Sequence, residues 1–171
     1  MLELVKVDIR YLEHYRQDLW GDVDYAKPGD AGFDFRAAIR ESMTIPAIVG
    51  YNPEMLEKTG FDTPPDPVQA IPTGICIALP EGYQLEIRPR SGLALKNGIT
   101  IVNSPGTIDT GYRGEIKIIL ANLGIKSFLI EPGDRIAQGV LMRAPKIQFN
   151  KVFALPESER GEGGFGSTGK D

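Results

Sequence analysis

Glycine and proline punctuate this chain so often that long helices have little room to form. Twenty Gly and 13 Pro fall among 171 residues, and between them lie short runs rich in β-branched side chains. Gly admits left-handed turns that other residues avoid, and Pro fixes φ and removes a backbone donor. The expectation is a mostly β protein of short strands and tight turns. The length suits one domain with a real core. With 42% hydrophobic and 25% charged residues, the composition is that of an ordered globular chain.

Charge and the rare residue types narrow the function. A net charge of −4 argues against a general nucleic-acid or membrane surface, so an anionic ligand needs a local cluster of Arg side chains and backbone N–H groups. Cys76 is the single cysteine and stands between Ile75 and Ile77. It reads as a small buried hydrophobe without a disulfide partner, which fits a reducing, cytoplasmic setting. Residues 1–6 lack the basic-then-apolar pattern of a signal peptide. No apolar run approaches the roughly 20 residues of a membrane helix. His14 is the only histidine, so His-based zinc sites and Ser-His-Asp chemistry are poor candidates.

Strands are expected over residues 2–9, 33–38, 43–49, 70–79, 83–88 and 136–142, with 11–20 as a loop or short helical turn. Residues 50–69 read as an inserted excursion. Asn52 as cap, Pro53 at the first position and Gly60 as stop suit a short helix over 53–59. Pro64, Pro65 and Pro67 then force an extended return. The insertion is either a tolerated surface loop or a contact element for a subunit or an unknown protein partner. Residues 149–153 are the last apolar run. The β domain is therefore expected over 1–155, and the polar, Gly-rich residues 156–171 as a flexible arm.

Residues 103–115 concentrate the chemistry. A strand over 98–102 enters, another over 115–120 leaves, and Asn103, Ser104, Pro105 and Gly106 mark the turn between them. Asp109 and Tyr112 sit among glycines that admit close backbone approach to a flat ligand. Taken alone, this is a decorated hairpin with a solvated Asp and a packed Tyr. Elsewhere, Gly164 to Lys170 has the spacing of a phosphate-binding loop. The next residue is Asp171, not Ser or Thr, and no helix follows in this sequence, which excludes the loop of nucleotide triphosphatases.

Four further segments accompany the hairpin: Asp30-Ala31-Gly32-Phe33-Asp34, Pro89-Arg90-Ser91-Gly92-Leu93-Ala94, Gly133-Asp134-Arg135-Ile136-Ala137-Gln138, and the Gly-rich run from Arg160 to Gly169. In order and spacing the five resemble the homotrimeric dUTPase family, from about Tyr25 to Gly169. The resemblance implies an all-β, jelly-roll-like fold (a distorted β-barrel), a homotrimer with shared sites, and dUTP as substrate. It places Arg90, Ser91, Gly92 and Gln138 on the phosphate chain, with Asp34, Asp134 and Arg135 in supporting roles. It places Asn103 at the base, Gly106 and Ile108 among the substrate-binding residues, and Tyr112 against C2′ of the sugar. Arg160, Phe165, Gly166, Ser167 and Thr168 belong to a lid, with Phe165 stacking on the base. Mg²⁺ is implied as cofactor, held mainly by the triphosphate and touched by Asp34 through water, without a direct protein ligand. Asp109 would orient and deprotonate the water that attacks the α-phosphorus, releasing dUMP and pyrophosphate. Two relatives on the same fold stand as alternatives: a dCTP deaminase and a dUTP-binding regulatory protein.

Overall fold

The computed structural model describes residues 4–48 and 66–162. The short helix expected over 53–59, most of the 50–69 insertion, and Phe165, Gly166, Ser167 and Thr168 lie outside the described residues.

Among the described residues the chain forms β1 (Asp8–Tyr11), α1 (Gln17–Trp20), β2 (Phe33–Arg36), β3 (Met43–Ile45), β4 (Val68–Pro72), β5 (Ile75–Ala78) and β6 (Tyr83–Arg88). It continues with α2 (Ser91–Asn97), β7 (Ile99–Ile101), β8 (Gly106–Ile108), β9 (Lys117–Asn122), β10 (Phe128–Ile130) and β11 (Arg135–Arg143). The strands pair antiparallel in four small sheets, β2-β11-β6-β8, β4-β9-β7, β1-β5 and β10-β3. This is the expected all-β, jelly-roll-like architecture. Phe35, Ile45, Ile71, Leu85, Ile116, Ile118 and Ile136 are fully buried between the sheets. Burying each such side chain is worth about 1.5–3 kcal/mol.

Several boundaries differ from the sequence reading, each for a physical reason. The first strand begins only at Asp8, where pairing with Ala78 of β5 starts, and Leu4 before it is exposed. The run over 70–79 is two strands. Gly74 takes φ +68° between them, and the chain leaves β9 to pair with β1. A side chain at 74 would collide with Tyr15, so the break requires glycine. The strands over 33–38 and 43–49 end early, at Arg36 and Ile45. The hairpin over 98–120 is real, with Ile101 opposite Leu120 and Ile99 opposite Asn122. Its turn also contains β8, which crosses to pair with β6. Three residues are too few for an alternation signal, which hid β8 and also β10. The apolar run over 149–153 joins no strand, and Phe149 and Phe153 are exposed.

Candidate functional site

Asp34 on β2, Gln138 on β11 and Arg88 on β6 share one cross-strand level. A bulge in β11 between Arg135 and Ala137 shifts the register against β2, and bulges of this kind re-aim a side chain. The Arg135 guanidinium reaches one oxygen of Asp34 at 3.3 Å, and Arg90 Nε lies 2.9 Å from the other. Arg90 Nη1 donates to the Arg135 carbonyl at 2.9 Å, and Gln138 Nε2 donates to the Pro89 carbonyl at 2.9 Å. Asp34, Arg88, Arg90 and Gln138, with Gly32, Ser91 and Gly92, line an open cavity of about 590 Å³, and Arg135 stands beside it on Asp34.

The charge balance there is uneven. Arg88 is taken by Glu86, at 2.6 and 3.0 Å to one carboxylate oxygen. Arg90 and Arg135 share the single carboxylate of Asp34, which leaves a local surplus of positive charge. These groups are partly exposed, so the pairs add little to stability; their effect is to fix where two rigid cations point. Arg90 is also the N-cap position of α2, where no side chain caps the helix. Ser91 and Gly92, next in line, are exposed.

The turn below Arg135 is tightly built. Asp134 Oδ2 accepts from Glu131 N–H at 2.9 Å, and the Asp134 carbonyl accepts from Ala37 N–H at 2.8 Å. Arg36 donates to the Gly133 carbonyl at 2.8 Å. Gly133 has φ +88°, and the Trp20 indole lies where a side chain would stand. Asp134 thus shapes the turn from which Arg135 reaches the cleft.

Asp109 and Tyr112 are elsewhere. Ile108 lies opposite Leu85, so Asp109 follows at the level of Gln84, while the cleft gathers around Arg88. Four strand steps separate the two levels, about 13 Å, and Arg90 points toward Arg135, further away still. No residue of the 103–115 turn lines the cleft. Asp109 is exposed, and its carbonyl accepts from Tyr112 N–H at 3.1 Å. The turn passes through a cis peptide between Ser104 and Pro105. Asn103 is exposed with its amide against buried Gly106, and Ile108 is half-buried. The Tyr112 hydroxyl donates to the Glu115 carbonyl at 2.7 Å. Arg160 is exposed, in a stretch without helix or strand.

The structure therefore joins Asp34, Arg90, Ser91, Gly92 and Gln138 in one cleft with Arg135 beside it, and Asn103, Gly106, Ile108, Asp109 and Tyr112 in one turn; Gly106 lies opposite Ile87, next to Arg88, while Asp109 is held away from the cleft. Sequence reasoning missed Glu115 and His14, whose side chains meet at 2.7 Å across 101 positions. No local pattern signals such a pair.

An antiparallel jelly-roll-like fold with a guanidinium-lined cleft and a carboxylate-bearing turn defines the class. Comparison supplies the family. The dUTPase family model matches residues 49–169. The deoxyuridine 5'-triphosphate nucleotidohydrolase of Rickettsia prowazekii is 46% identical over 168 residues, covering 98% of this chain and 99% of the relative. That of Wolinella succinogenes is 47% identical, covering 99% of each. Among solved structures, the Staphylococcus bacteriophage 80alpha dUTPase with dUPNHPP superposes with a TM-score of 0.74 at 24% identity, over 96% of this chain and 98% of that one. The chain belongs to the dUTPase family.

Proposed function

We propose that this protein hydrolyses dUTP to dUMP and pyrophosphate. The observation that carries the reading is the surplus of guanidinium around Asp34 on a chain that is acidic overall, in a member of this family. Arg90, Ser91, Gly92 and Gln138 bind the triphosphate, and Asp109 orients a water for in-line attack on the α-phosphorus and takes its proton. The bond from that phosphorus to the bridging oxygen breaks, and pyrophosphate leaves. The positioning of that water by Asp109 carries as much of the effect as proton abstraction.

The donor set suits a metal carried by its ligand. Two carboxylates, Asp30 and Asp34, line the cleft, Asp34 already lies between two cations, and among the described residues no three metal-ligating side chains gather. Asp34 would hold a magnesium triphosphate through water, and the Mg²⁺ would supply charge neutralisation for the leaving pyrophosphate. The turn would read the uracil edge with its backbone and Asn103, exclude a C5 methyl for want of room, and set the Tyr112 ring against C2′.

The separation of Asp109 from Arg90 supports sites shared between subunits of a homotrimer. Five large apolar side chains exposed within nine residues, Ile147, Phe149, Val152, Phe153 and Leu155, support the same assembly, because a partner would take them from water. The arm from residue 156 would then close over a neighbour's site. The lone, buried Cys76 fits a cytoplasmic setting. The test is pyrophosphate release from dUTP beside dTTP, dCTP and UTP, with ammonia release from dCTP measured in parallel. Preference for dUTP supports the reading; ammonia without pyrophosphate replaces it with deamination.

A further inference from the structure

We propose that His14 and Glu115 position the Tyr112 ring and so set how strictly the site refuses ribose. The inference rests on the dUTP-hydrolysing reading and adds two residues to it.

Glu115 closes the turn. One of its carboxylate oxygens accepts from His14 Nε2 at 2.7 Å and from Gly74 N–H at 2.8 Å. Its side chain is mostly buried, with 16% exposure. The next residue, Ile116, is fully buried; its N–H donates to the Ile75 carbonyl at 2.9 Å and its carbonyl accepts from the Thr73 hydroxyl at 2.7 Å. Glu115 and Ile116 are thus fastened to the break between β4 and β5, itself packed on Tyr15.

The Tyr112 ring is carried by this anchor. Its hydroxyl donates to the Glu115 carbonyl, and a side chain at Gly114 would lie 2.7 Å from that hydroxyl. Tyr112 is 43% exposed as a residue, so packing alone does not hold its ring. Its angle follows the Glu115 backbone, which the His14 imidazole and the Gly74 amide fix through the carboxylate. An apolar contact refuses an added hydroxyl only about 100-fold, and a misplacement of about 1 Å removes an effect of that size. A ring that must refuse ribose by contact needs such an anchor.

The test compares kcat/KM for dUTP and UTP in the wild type, His14→Ala, His14→Gln and Tyr112→Phe. In His14→Ala the dUTP/UTP ratio is expected to fall about tenfold, mainly through faster UTP hydrolysis, a change of about 1.4 kcal/mol. His14→Gln keeps an N–H donor near the Nε2 position and should restore most of the ratio. Tyr112→Phe removes only the hydroxyl tie from an exposed ring and should fall as His14→Ala does. An unchanged ratio in His14→Ala, parallel loss of both activities, or a His14→Gln protein no better than His14→Ala overturns the proposal. If His14→Ala does not fold, a full ratio in Tyr112→Phe overturns it just as well. A wild type that hydrolyses neither nucleotide overturns the parent reading and this inference with it.

Discussion

Asp109 stands exposed at the end of β8 with no side-chain partner among the hydrogen bonds that shape its turn, which rest on its carbonyl. Asp109→Asn keeps the shape and removes the proton acceptor. The expected result is dUTP affinity within about threefold of wild type and turnover reduced more than tenfold, a loss above 1.4 kcal/mol. Single-turnover hydrolysis beside equilibrium binding checks this; turnover above a tenth of wild type would remove Asp109 as the base. Asp109 and Tyr112 were legible in the sequence because their meaning lies in a few adjacent positions. Arg90 and Asp34 were legible singly, but not their ion pair, which depends on a bulge in a third strand. His14 and Glu115 lay beyond reach, since only the folded chain brings them together.

Elements were legible where a run was long enough to show a period. The β6 and β11 strands met that condition, while β8 and β10 carried three residues each. Fully buried Asn122 ties such short pieces together. Its amide donates to the Ile45 and Lys126 carbonyls at 3.0 and 2.9 Å and accepts from Gly124 N–H at 2.9 Å. Asn122→Ala leaves three backbone groups without these partners and is expected to cost about 2–4 kcal/mol, read as a lower urea midpoint at unchanged slope. At the other side, Tyr11 and Tyr15 stack at 4.6 Å. Burial pushes both phenols above their ordinary pKa. Above about pH 10 the unfolded chain therefore gives up protons that the native one keeps, and stability falls as pH rises. Urea midpoints taken from neutral to strongly alkaline pH should decline there; a flat profile would remove these phenols from the linkage.

At the scale of the molecule, Asp109 and the cleft lie at opposite ends of β6. That arrangement predicts complementation. Asp109→Asn protein and protein lacking residues 160–171, each inactive alone, should regain part of the dUTP hydrolysis after subunit exchange confirmed by mass. Confirmed exchange without recovered turnover would mean that each chain builds its own site. The general architecture was legible from Gly and Pro placement and the strand-like runs between them. The division of the site was expected only through the family resemblance; the cross-strand register that sets Asp109 away from the cleft is not displayed by a single sequence.

Trp20 is the only tryptophan in the chain, and its indole is seated on Gly133, beside the residues that lead to Arg135. The protein therefore carries its own optical reporter on the turn that leads to Arg135. Any shift of that turn when an anion enters alters the dielectric surroundings of one defined fluorophore. Stopped-flow emission can then time the arrival of nucleotide, and the departure of pyrophosphate, without a label or an engineered residue.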